Sequence, residues 1–352
     1  MSTNQASKPA GSQARARQDR MVERALREWG GQVDGKVAVV TGGARGLGEV
    51  MGRALSRVGA KVVAIDKSWA GADALRQSLE AGGGLAVQAD ITSDASLDAA
   101  YGQVMEKYGT VDILINNAAL VSETLFPPTG HRDTLDTTDE DWEAMFRVNV
   151  FGTVKVTRRF VVPMREKRQG SIINVVSSGV LAVANGGAYF GARPWTAEMP
   201  YQATKAAVTV FGFYLGEELQ KEGIAVNSIM PGHTRTSWFD TTARAFNEGG
   251  IVYFNRPVVS EHLLPLTLFL STQSAEGATG RLYFAPEWNY DYGYGDYAAW
   301  QDQELPGDME AMYGGLEAAT PPFGRSGVSQ LSFDAQSALF VAGLGALKKQ
   351  EG

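Results

Sequence analysis

A chain of 352 residues with a hydrophobic fraction of 44% is long enough to bury a sizeable core, as one large α/β domain with extensions or as two domains. The absence of cysteine excludes disulfides, thiolate metal ligands and cysteine nucleophiles, and three histidines far apart in sequence lead us to expect no metal site. A net charge of −7 disfavours a nucleic-acid partner, and no apolar run is long enough to predict a membrane span.

The first 36 residues are polar and rich in arginine near their start. They predict a short helix from about Arg20 to Trp29. A transit peptide is one interpretation, but acidic residues among the arginines argue against it. We favour a solvated arm, residues 1–33, which can pack on a partner subunit of a cytoplasmic protein.

Residues 36–41 form an apolar, β-branched run that predicts a buried parallel strand, and a glycine-rich turn and a helical pattern follow it. Glycine lets the backbone turn sharply and approach a phosphate that a Cβ would block, while the helix N-terminus presents unpaired N–H groups. An ordinary glycine-rich turn is the alternative. The candidate cofactor contacts in this turn are Gly42, Arg45, Gly46, Leu47 and Gly48.

The second predicted strand, residues 61–66, ends at Asp66, 18 residues after Gly48. A carboxylate at this place binds the adenosine ribose hydroxyls and repels a 2′-phosphate, which favours NAD over NADP. Arg45 and Lys67 keep NADP open, since either can in principle pair with a 2′-phosphate. A simple turn carboxylate is the alternative role for Asp66.

Two further strands, residues 85–90 and 111–115, are each followed by candidate cofactor contacts at the carboxyl edge of the sheet. Asp90, with its neighbour Ile91, can accept a hydrogen bond from the adenine amino group, or Asp90 can merely help to cap the next helix. Asn117 and Ala118 lie in the tight turn after the later strand. The long connection at residues 120–138 is a candidate functional loop.

A threonine followed by three acids at residues 138–141 predicts the start of a helix that runs to about Met164. Asn149 lies in the middle of this helix, a poor place for asparagine unless its side chain has a task. The fifth predicted strand, residues 171–176, ends at Ser177 and Ser178.

Tyr201 begins a strongly periodic helix, and Lys205, four residues later, shares its face. A serine, a tyrosine and a lysine so arranged suggest proton transfer on an alcohol or a carbonyl. Residues 224–230 predict the sixth strand, residues 233–257 a lid or loop, residues 259–271 a helix and residues 281–285 the last strand.

From Pro286 the composition changes, and six aromatic residues fall between positions 288 and 300. They are Trp288, Tyr290, Tyr292, Tyr294, Tyr297 and Trp300. This segment predicts either a cover facing the ligand or a subunit interface, and a tail packed on its own domain is the alternative. A short apolar helix is predicted at about residues 333–347.

In their order along the chain, these motifs resemble the short-chain dehydrogenase/reductase superfamily in its single-domain branch, over residues 34–285. The resemblance implies an α/β, doubly wound Rossmann fold with a seven-stranded parallel sheet, flanked by the arm and by an extension, residues 286–352. It implies a catalytic tetrad of Asn149, Ser178, Tyr201 and Lys205. It also implies that Tyr201 and Lys205 contact the cofactor, and that a nicotinamide-binding segment contains Pro231, Gly232, Thr234 and Thr236.

The implied roles have a physical basis. A phenol has an ordinary pKa near 10, and a neighbouring ammonium lowers it, so Lys205 would make Tyr201 a usable base while also binding the nicotinamide ribose. Ser178 would hold the substrate oxygen, with Ser177 as its rival. Asn149 would orient a water that relays protons to Lys205.

Three departures from the family pattern stand out. Ser178 and Tyr201 are 23 residues apart, a longer gap than the family usually shows, which predicts an insertion before the catalytic helix. Tyr189 with Arg193 mimics the motif at a more usual spacing, but the proline that follows would break a helix. Ala119 ends a turn that more often ends in glycine.

We therefore expect an NAD-dependent oxidoreductase that interconverts a secondary alcohol and a ketone, with a hydrophobic or cyclic small-molecule substrate. The alternatives are an NADPH-dependent carbonyl reductase with the same tetrad and a non-catalytic nucleotide-binding scaffold. The family implies a homo-oligomer, a dimer or a tetramer, and we favour the homotetramer.

Overall fold

The computed structural model describes residues 11–177, 199–248 and 256–319. Seven parallel strands form one sheet, as predicted, and their order in the sheet is β3-β2-β1-β4-β5-β6-β7. The strands are β1 (Val37–Thr41), β2 (Lys61–Asp66), β3 (Leu85–Gln88), β4 (Ile113–Asn116), β5 (Gly170–Val175), β6 (Ile224–Met230) and β7 (Arg281–Phe284).

Helices lie on both faces of the sheet, and they are numbered here along the described part of the chain. They are α1 (Gly11–Trp29), α2 (Gly46–Arg57), α3 (Asp73–Ala81), α4 (Asp94–Tyr108), α5 (Ser122–Leu125), α6 (Asp139–Phe146), α7 (Thr153–Lys167), α8 (Tyr201–Gln220), α9 (Phe239–Glu248), α10 (Leu264–Ser271), α11 (Ala285–Asp291), α12 (Tyr297–Trp300) and α13 (Gly307–Ala319). Short 3₁₀ turns form at Gly30–Gln32, Thr134–Asp136 and Ser260–Leu263, and a π-helical turn, Arg147–Gly152, joins α6 to α7.

The central strands are buried on both faces, which explains why their sequences are mostly apolar. In β1, Ala38 and Val40 enter the core layer that contains α1, α2 and α10. Val37 and Val39 enter the opposite layer, with α4 and α7. Alternation along one strand therefore supplies two separate hydrophobic cores.

Helix α1 is longer than the predicted Arg20–Trp29 helix, and it packs on its own chain rather than forming a solvated arm. Its buried residues recur every three or four positions, which places them on one helix face. They are Ala14, Gln18, Val22, Ala25 and Leu26. This face lies against α10, and Arg24 stacks over the Tyr294 ring at 4.4 Å.

The aromatic segment packs on its own domain, which was the alternative interpretation. Trp288, Tyr294 and Trp300 are each no more than 4% exposed and join the core layer of α1 and α10. The Trp288 ring stacks on Tyr292 at 4.2 Å, and the Trp29 indole N–H donates to the Tyr294 hydroxyl. Beyond this segment, α13 packs on α9. The helix predicted at residues 333–347 lies outside the described residues.

The strand order reverses between β1 and β4, which are neighbours in the sheet although β2 and β3 separate them in sequence. In doubly wound folds this reversal opens a crevice at the carboxyl ends of the strands, where ligands bind. The candidate residues at the ends of these strands therefore converge on one edge.

Candidate active site

The turn after β1 is tied to the turn after β4 by hydrogen bonds around Thr41. Its hydroxyl oxygen accepts from the backbone N–H groups of Asn117 (3.0 Å) and Ala118 (3.1 Å). The Asn117 amide donates back to the carbonyl oxygens of Thr41 (3.0 Å) and Gly42 (3.1 Å). Asn117 thus fixes the shape of the glycine turn.

The glycine turn leaves no room for side chains where it folds back on itself. A Cβ on Gly48 would lie 2.1 Å from the Gly42 carbonyl oxygen, and Gly42 itself has a φ of +64°. A Cβ on Gly46, in contrast, would meet nothing within 4 Å, so open space lies over the start of α2. Arg45 is exposed and makes no side-chain cap there. Open space beside a helix N-terminus fits a pyrophosphate.

Asp66 lies at the end of β2, beside this turn. One carboxylate oxygen accepts from the Ala44 N–H (3.1 Å) and the other from the Ser68 N–H (3.2 Å). The side chain is therefore held at the rim of the candidate cofactor site, where the ribose of a dinucleotide is expected.

Asp90 is engaged within its own turn. Its carboxylate accepts from the Thr92 N–H and hydroxyl and forms an ion pair with Lys67 at 2.9 Å. Partial burial opposes ionisation of Asp90, but the bonds from Lys67 and Thr92 prevail and lower its pKa to about 2. Ile91 is buried, and its side chain packs where a Cβ on Gly152 would be placed. Any adenine contact by Ile91 would come from its backbone.

Asn149 lies in the π-helical turn and is 1% exposed. Its side-chain oxygen accepts from the Leu120 N–H (2.7 Å), while its amide donates to the Leu120 carbonyl (2.9 Å) and the Thr204 hydroxyl (3.0 Å). The side chain therefore connects the segment after β4 to helix α8. The predicted role of orienting a water stays a prediction.

Lys205 is 4% exposed, and its ammonium donates to the Val175 carbonyl at 2.9 Å. It lies 5.6 Å from the centroid of the Tyr201 ring, one helical turn earlier. Burial lowers the pKa of Lys205 from 10.5 to about 8. Tyr201 is half-buried at the first position of α8. The pair is thus preformed at the carboxyl end of β5.

Ser177 is half-buried just beyond β5, whereas Ser178 lies outside the described residues, as do Tyr189 and Arg193. The choice between Ser177 and Ser178 therefore stays a prediction.

The segment after β6 contains the remaining candidates. The Pro231 carbonyl lies 2.8 Å from a ring nitrogen of the buried His262, and Gly232 has a φ of +77°. The Thr234 hydroxyl faces the carbonyls of Pro231 and Gly232, and Thr234 pairs with Val258 in an isolated bridge. Thr236 lies within residues 233–257, the region predicted as a lid or loop, which also contains helix α9.

Sequence reasoning missed three side chains that organise this edge: the Thr41 hydroxyl as an acceptor, Thr204 as the partner of Asn149, and Arg235. Threonine at the end of a strand and arginine in a loop are too common to single out. Only the contacts themselves reveal their roles.

In the described ranges, no group of three or more histidine, cysteine, aspartate or glutamate side chains is arranged to hold a metal ion. Across those same residues, no helix is both long and apolar enough to cross a membrane.

A family model described as short chain dehydrogenase matches residues 36–245, more than half of the chain. The chain belongs to the short-chain dehydrogenase family. It is therefore an oxidoreductase of the short-chain alcohol dehydrogenase type, which interconverts an alcohol and a ketone and binds a nicotinamide cofactor.

The similarity of this short-chain dehydrogenase to individual relatives differs in extent. It is 65% identical over 341 residues to fluoren-9-ol dehydrogenase from Terrabacter sp. (strain DBF63), covering 97% of this chain and 96% of that protein. It is 32% identical over 206 residues to 2,3-dihydro-2,3-dihydroxybenzoate dehydrogenase from Bacillus subtilis (strain 168), covering 58% of this chain and 72% of that protein.

Two solved structures resemble this dehydrogenase with a TM-score of 0.60 each. One is 3-ketoacyl-(acyl-carrier-protein) reductase from Brucella melitensis complexed with NADH, at 28% identity, covering 72% of this chain and 97% of that one. The other is L-sorbose reductase from Gluconobacter frateurii complexed with NADPH and L-sorbose, at 27% identity, covering 72% and 95%. One structure holds NADH and the other NADPH, so the fold alone does not choose between them.

Proposed function

We propose that this short-chain dehydrogenase oxidises a cyclic, polycyclic secondary alcohol to the ketone with NAD, in the cytoplasm. The observation that carries the catalytic part is the preformed pair at the carboxyl edge, with the buried Lys205 ammonium 5.6 Å from the Tyr201 ring. A buried cation beside a phenol favours the phenolate, the form that can accept a proton from an alcohol.

In the proposed reaction, Tyr201 takes the proton of the substrate hydroxyl. The Lys205 ammonium stabilises the negative charge of the Tyr201 phenolate, and its hydrogen bond to the Val175 carbonyl holds it in position. Ser178 holds the substrate oxygen. Asn149 keeps α8 in register with the segment after β4 through Thr204 and Leu120. A bound nicotinamide would supply the hydride acceptor for this oxidation.

The cofactor would be held along the carboxyl edge by the candidates named above, from the glycine turn to Thr236. We favour NAD because Asp66 lies beside the glycine turn with its carboxylate fixed by the Ala44 N–H. Lys67, which could have paired with a 2′-phosphate, makes an ion pair with Asp90 instead. Arg45 is exposed at the start of α2 and is the remaining argument for NADP.

The substrate class rests on the relative named fluoren-9-ol dehydrogenase, whose similarity extends through the arm and the C-terminal extension. Two exposed apolar side chains, in the connections that follow β4 and β6, agree with a flat aromatic substrate. Trp238, just after Thr236, is 41% exposed, and Leu135, in the connection after β4, is 97% exposed. Exposed large apolar groups beside a site are typical of ligand contacts.

The deciding experiment follows cofactor reduction with fluoren-9-ol, cyclohexanol, a steroid alcohol and sorbitol, each with NAD and with NADP. We expect the highest kcat/KM for fluoren-9-ol with NAD. A clear preference for NADP would support the carbonyl-reductase alternative and show that Arg45 outweighs Asp66. Turnover of sorbitol alone would refute the proposed substrate class.

We also propose a homotetramer whose subunits meet through α7 and α8. These helices and the π-helical turn between α6 and α7 carry five exposed apolar side chains that are candidates for this interface. They are Phe151, Val162, Val210, Phe213 and Tyr214. Light scattering of the wild type and of Phe213→Glu tests this: we expect a smaller assembly for the variant, and an unchanged mass would contradict the interface.

A further inference from the structure

Arg235 lies inside the nicotinamide-binding segment, between the cofactor candidates Thr234 and Thr236. Its guanidinium forms a fork with Asp240 of α9, with N–O distances of 2.9 and 2.7 Å. A third nitrogen donates to the Asp302 carboxylate at 2.9 Å. One side chain thus connects the segment, helix α9 and the C-terminal extension.

The backbone of Arg235 is held as firmly as its side chain. Its N–H donates to the Val258 carbonyl at 2.9 Å, and its carbonyl accepts from the Ser260 hydroxyl at 2.9 Å. Val258 also forms an isolated antiparallel bridge with Gln301. The segment that is expected to contact the nicotinamide is therefore fixed to residues just before Asp302.

Further ion pairs connect helix α9 and Arg256 to the C-terminal extension. Residues 302–313, which we call the strap, contribute Asp308 to an ion pair with Arg244 of α9 at 2.6 Å. They also contribute Glu310 to a fork with Arg256, which is 2% exposed. An apolar cluster lies between these ties. It consists of Phe239, Ala243, Leu305, Met309 and Tyr313.

Helix α9, which the strap covers, also reaches the connection after β4. The Thr242 hydroxyl donates to the Pro128 carbonyl at 3.1 Å. The helix therefore spans from the nicotinamide-binding segment to the loop region at residues 120–138. Any shift of α9 would alter both sides of the candidate substrate site.

The strap lies outside the part of the chain that the family model matches, residues 36–245. The two reductase structures resemble 72% of the chain, whereas the similarity to fluoren-9-ol dehydrogenase covers 97%. The sheet does not need the strap, because β6 pairs directly with β7. The strap therefore lies beyond the matched region and is not part of the sheet.

We propose that Arg235 is a positioning residue through which the strap holds the nicotinamide-binding segment and helix α9 in the arrangement that binds cofactor and substrate. This inference rests on the proposed function of the segment. Without the strap, only a fraction of the molecules would have the segment and α9 in this arrangement before binding. The apparent dissociation constant would then be the intrinsic one divided by that fraction, so apparent affinity would fall.

The test compares Asp302→Asn and Arg235→Lys with a matched control, Asp98→Asn. Arg159 of α7 pairs with two carboxylates of α4, Asp94 and Asp98. Asp98→Asn therefore removes one of two acidic partners of an arginine, as Asp302→Asn does, but on α4 rather than in the strap. Binding of NADH and of NADPH is titrated by protein fluorescence. KM and kcat for the alcohol are measured, and hydrogen exchange of the α9 amides is followed without ligand.

We expect Asp302→Asn to raise the dissociation constant of the cofactor and the KM about tenfold, the scale of one lost charge-assisted hydrogen bond. kcat should change less than KM, the α9 amides should exchange faster, and the control should behave as wild type. Arg235→Lys keeps the charge but loses the fork with Asp240, and one ammonium cannot replace all three bonds of the guanidinium. Its effects on KM and on cofactor binding should therefore be at least as large as those of Asp302→Asn.

If the strap has only a structural role, Asp302→Asn would lower the melting temperature but leave KM, cofactor binding and α9 exchange at wild-type values. That result would overturn the inference. If Asp302→Asn does not fold, Asp308→Asn at the exposed tie gives the same comparison with a smaller expected effect. If the wild type binds neither cofactor, the proposed function fails instead, and α9 exchange still decides whether the strap orders this helix.

Discussion

Replacing Lys205 by methionine separates the catalytic role of this side chain from its effect on stability. Methionine has a similar length and no charge, so it fills the buried site without the ammonium. The variant loses the hydrogen bond to the Val175 carbonyl and the cation 5.6 Å from the Tyr201 ring. We expect activity and stability to change in opposite directions.

The loss of activity follows from the interaction between the ammonium and the Tyr201 phenolate. With the ring centroid taken as the position of the negative charge, 5.6 Å and an effective dielectric constant of about 20 give about 3 kcal/mol. Since 1.4 kcal/mol corresponds to about a factor of ten in rate, kcat/KM at neutral pH should fall about a hundredfold.

The gain in stability follows from the burial of Lys205. Lowering its pKa from 10.5 to about 8 costs the folded protein on the order of 3 kcal/mol at neutral pH. Between these two values the unfolded chain binds more protons than the folded chain. Relative to Lys205→Met, the wild type should therefore become more stable as the pH rises from 8 towards 10.5.

Two measurements check this reasoning. Urea unfolding at pH 7 should show Lys205→Met at least as stable as the wild type, and steady-state kinetics should show the loss in kcat/KM with cofactor binding weakened less. Activity at the wild-type level would refute the role of the ammonium. A marked loss of stability would show that the bond to Val175 outweighs the burial of the charge.

Four other substitutions test the site. Tyr201→Phe should abolish turnover while cofactor titration still shows binding, and retained activity would rule out Tyr201 as the acid–base group. Asp66→Asn should keep the bond from the Ala44 N–H and raise the NADPH to NADH preference about tenfold in steady-state kinetics, the scale of a lost charge interaction; an unchanged ratio would mean that Asp66 does not choose the cofactor. Gly48→Ala places a Cβ 2.1 Å from the Gly42 carbonyl, so cofactor binding should be lost, and wild-type binding would contradict the shape of the turn. Thr41→Val leaves two N–H groups without their acceptor and should lower the free energy of unfolding by about 2 kcal/mol in urea titrations, and no loss would show that other acceptors replace the hydroxyl.

The sequence predicted the sheet and most of the helices well because their signals are local. Short segments rich in apolar and β-branched residues marked β1 and β6, which are buried throughout. The prediction of a single helix from residue 138 to about Met164 was close, but the structure inserts the π-helical turn at Arg147–Gly152. This turn contains Asn149, and its hydrogen bonds to Leu120 and Thr204 depend on elements far away in sequence.

The candidate site was predictable where one residue type is needed for a stereochemical reason. Gly48 is needed because a Cβ would collide with Gly42, and Lys205 is needed one helical turn from Tyr201. Asp90 was less certain, because a carboxylate after a strand can bind a ligand or its own turn. In the structure, the Asp90 carboxylate accepts a hydrogen bond from Thr92 and forms an ion pair with Lys67.

The sequence by itself determined most of the strands, the glycine turn and the Tyr201–Lys205 pair, since periodicity, steric limits and helical spacing act within a few residues. The doubly wound arrangement of the strands followed from the resemblance to the short-chain dehydrogenase family. Only the tertiary structure decided where helix α1 and residues 285–313 pack. The Gln18 amide in α1 donates to the Ala299 carbonyl across 281 residues, and Arg235 meets Asp302 across 67. A polar or charged side chain carries no local mark of its partner, so such contacts appear only when the chain has folded.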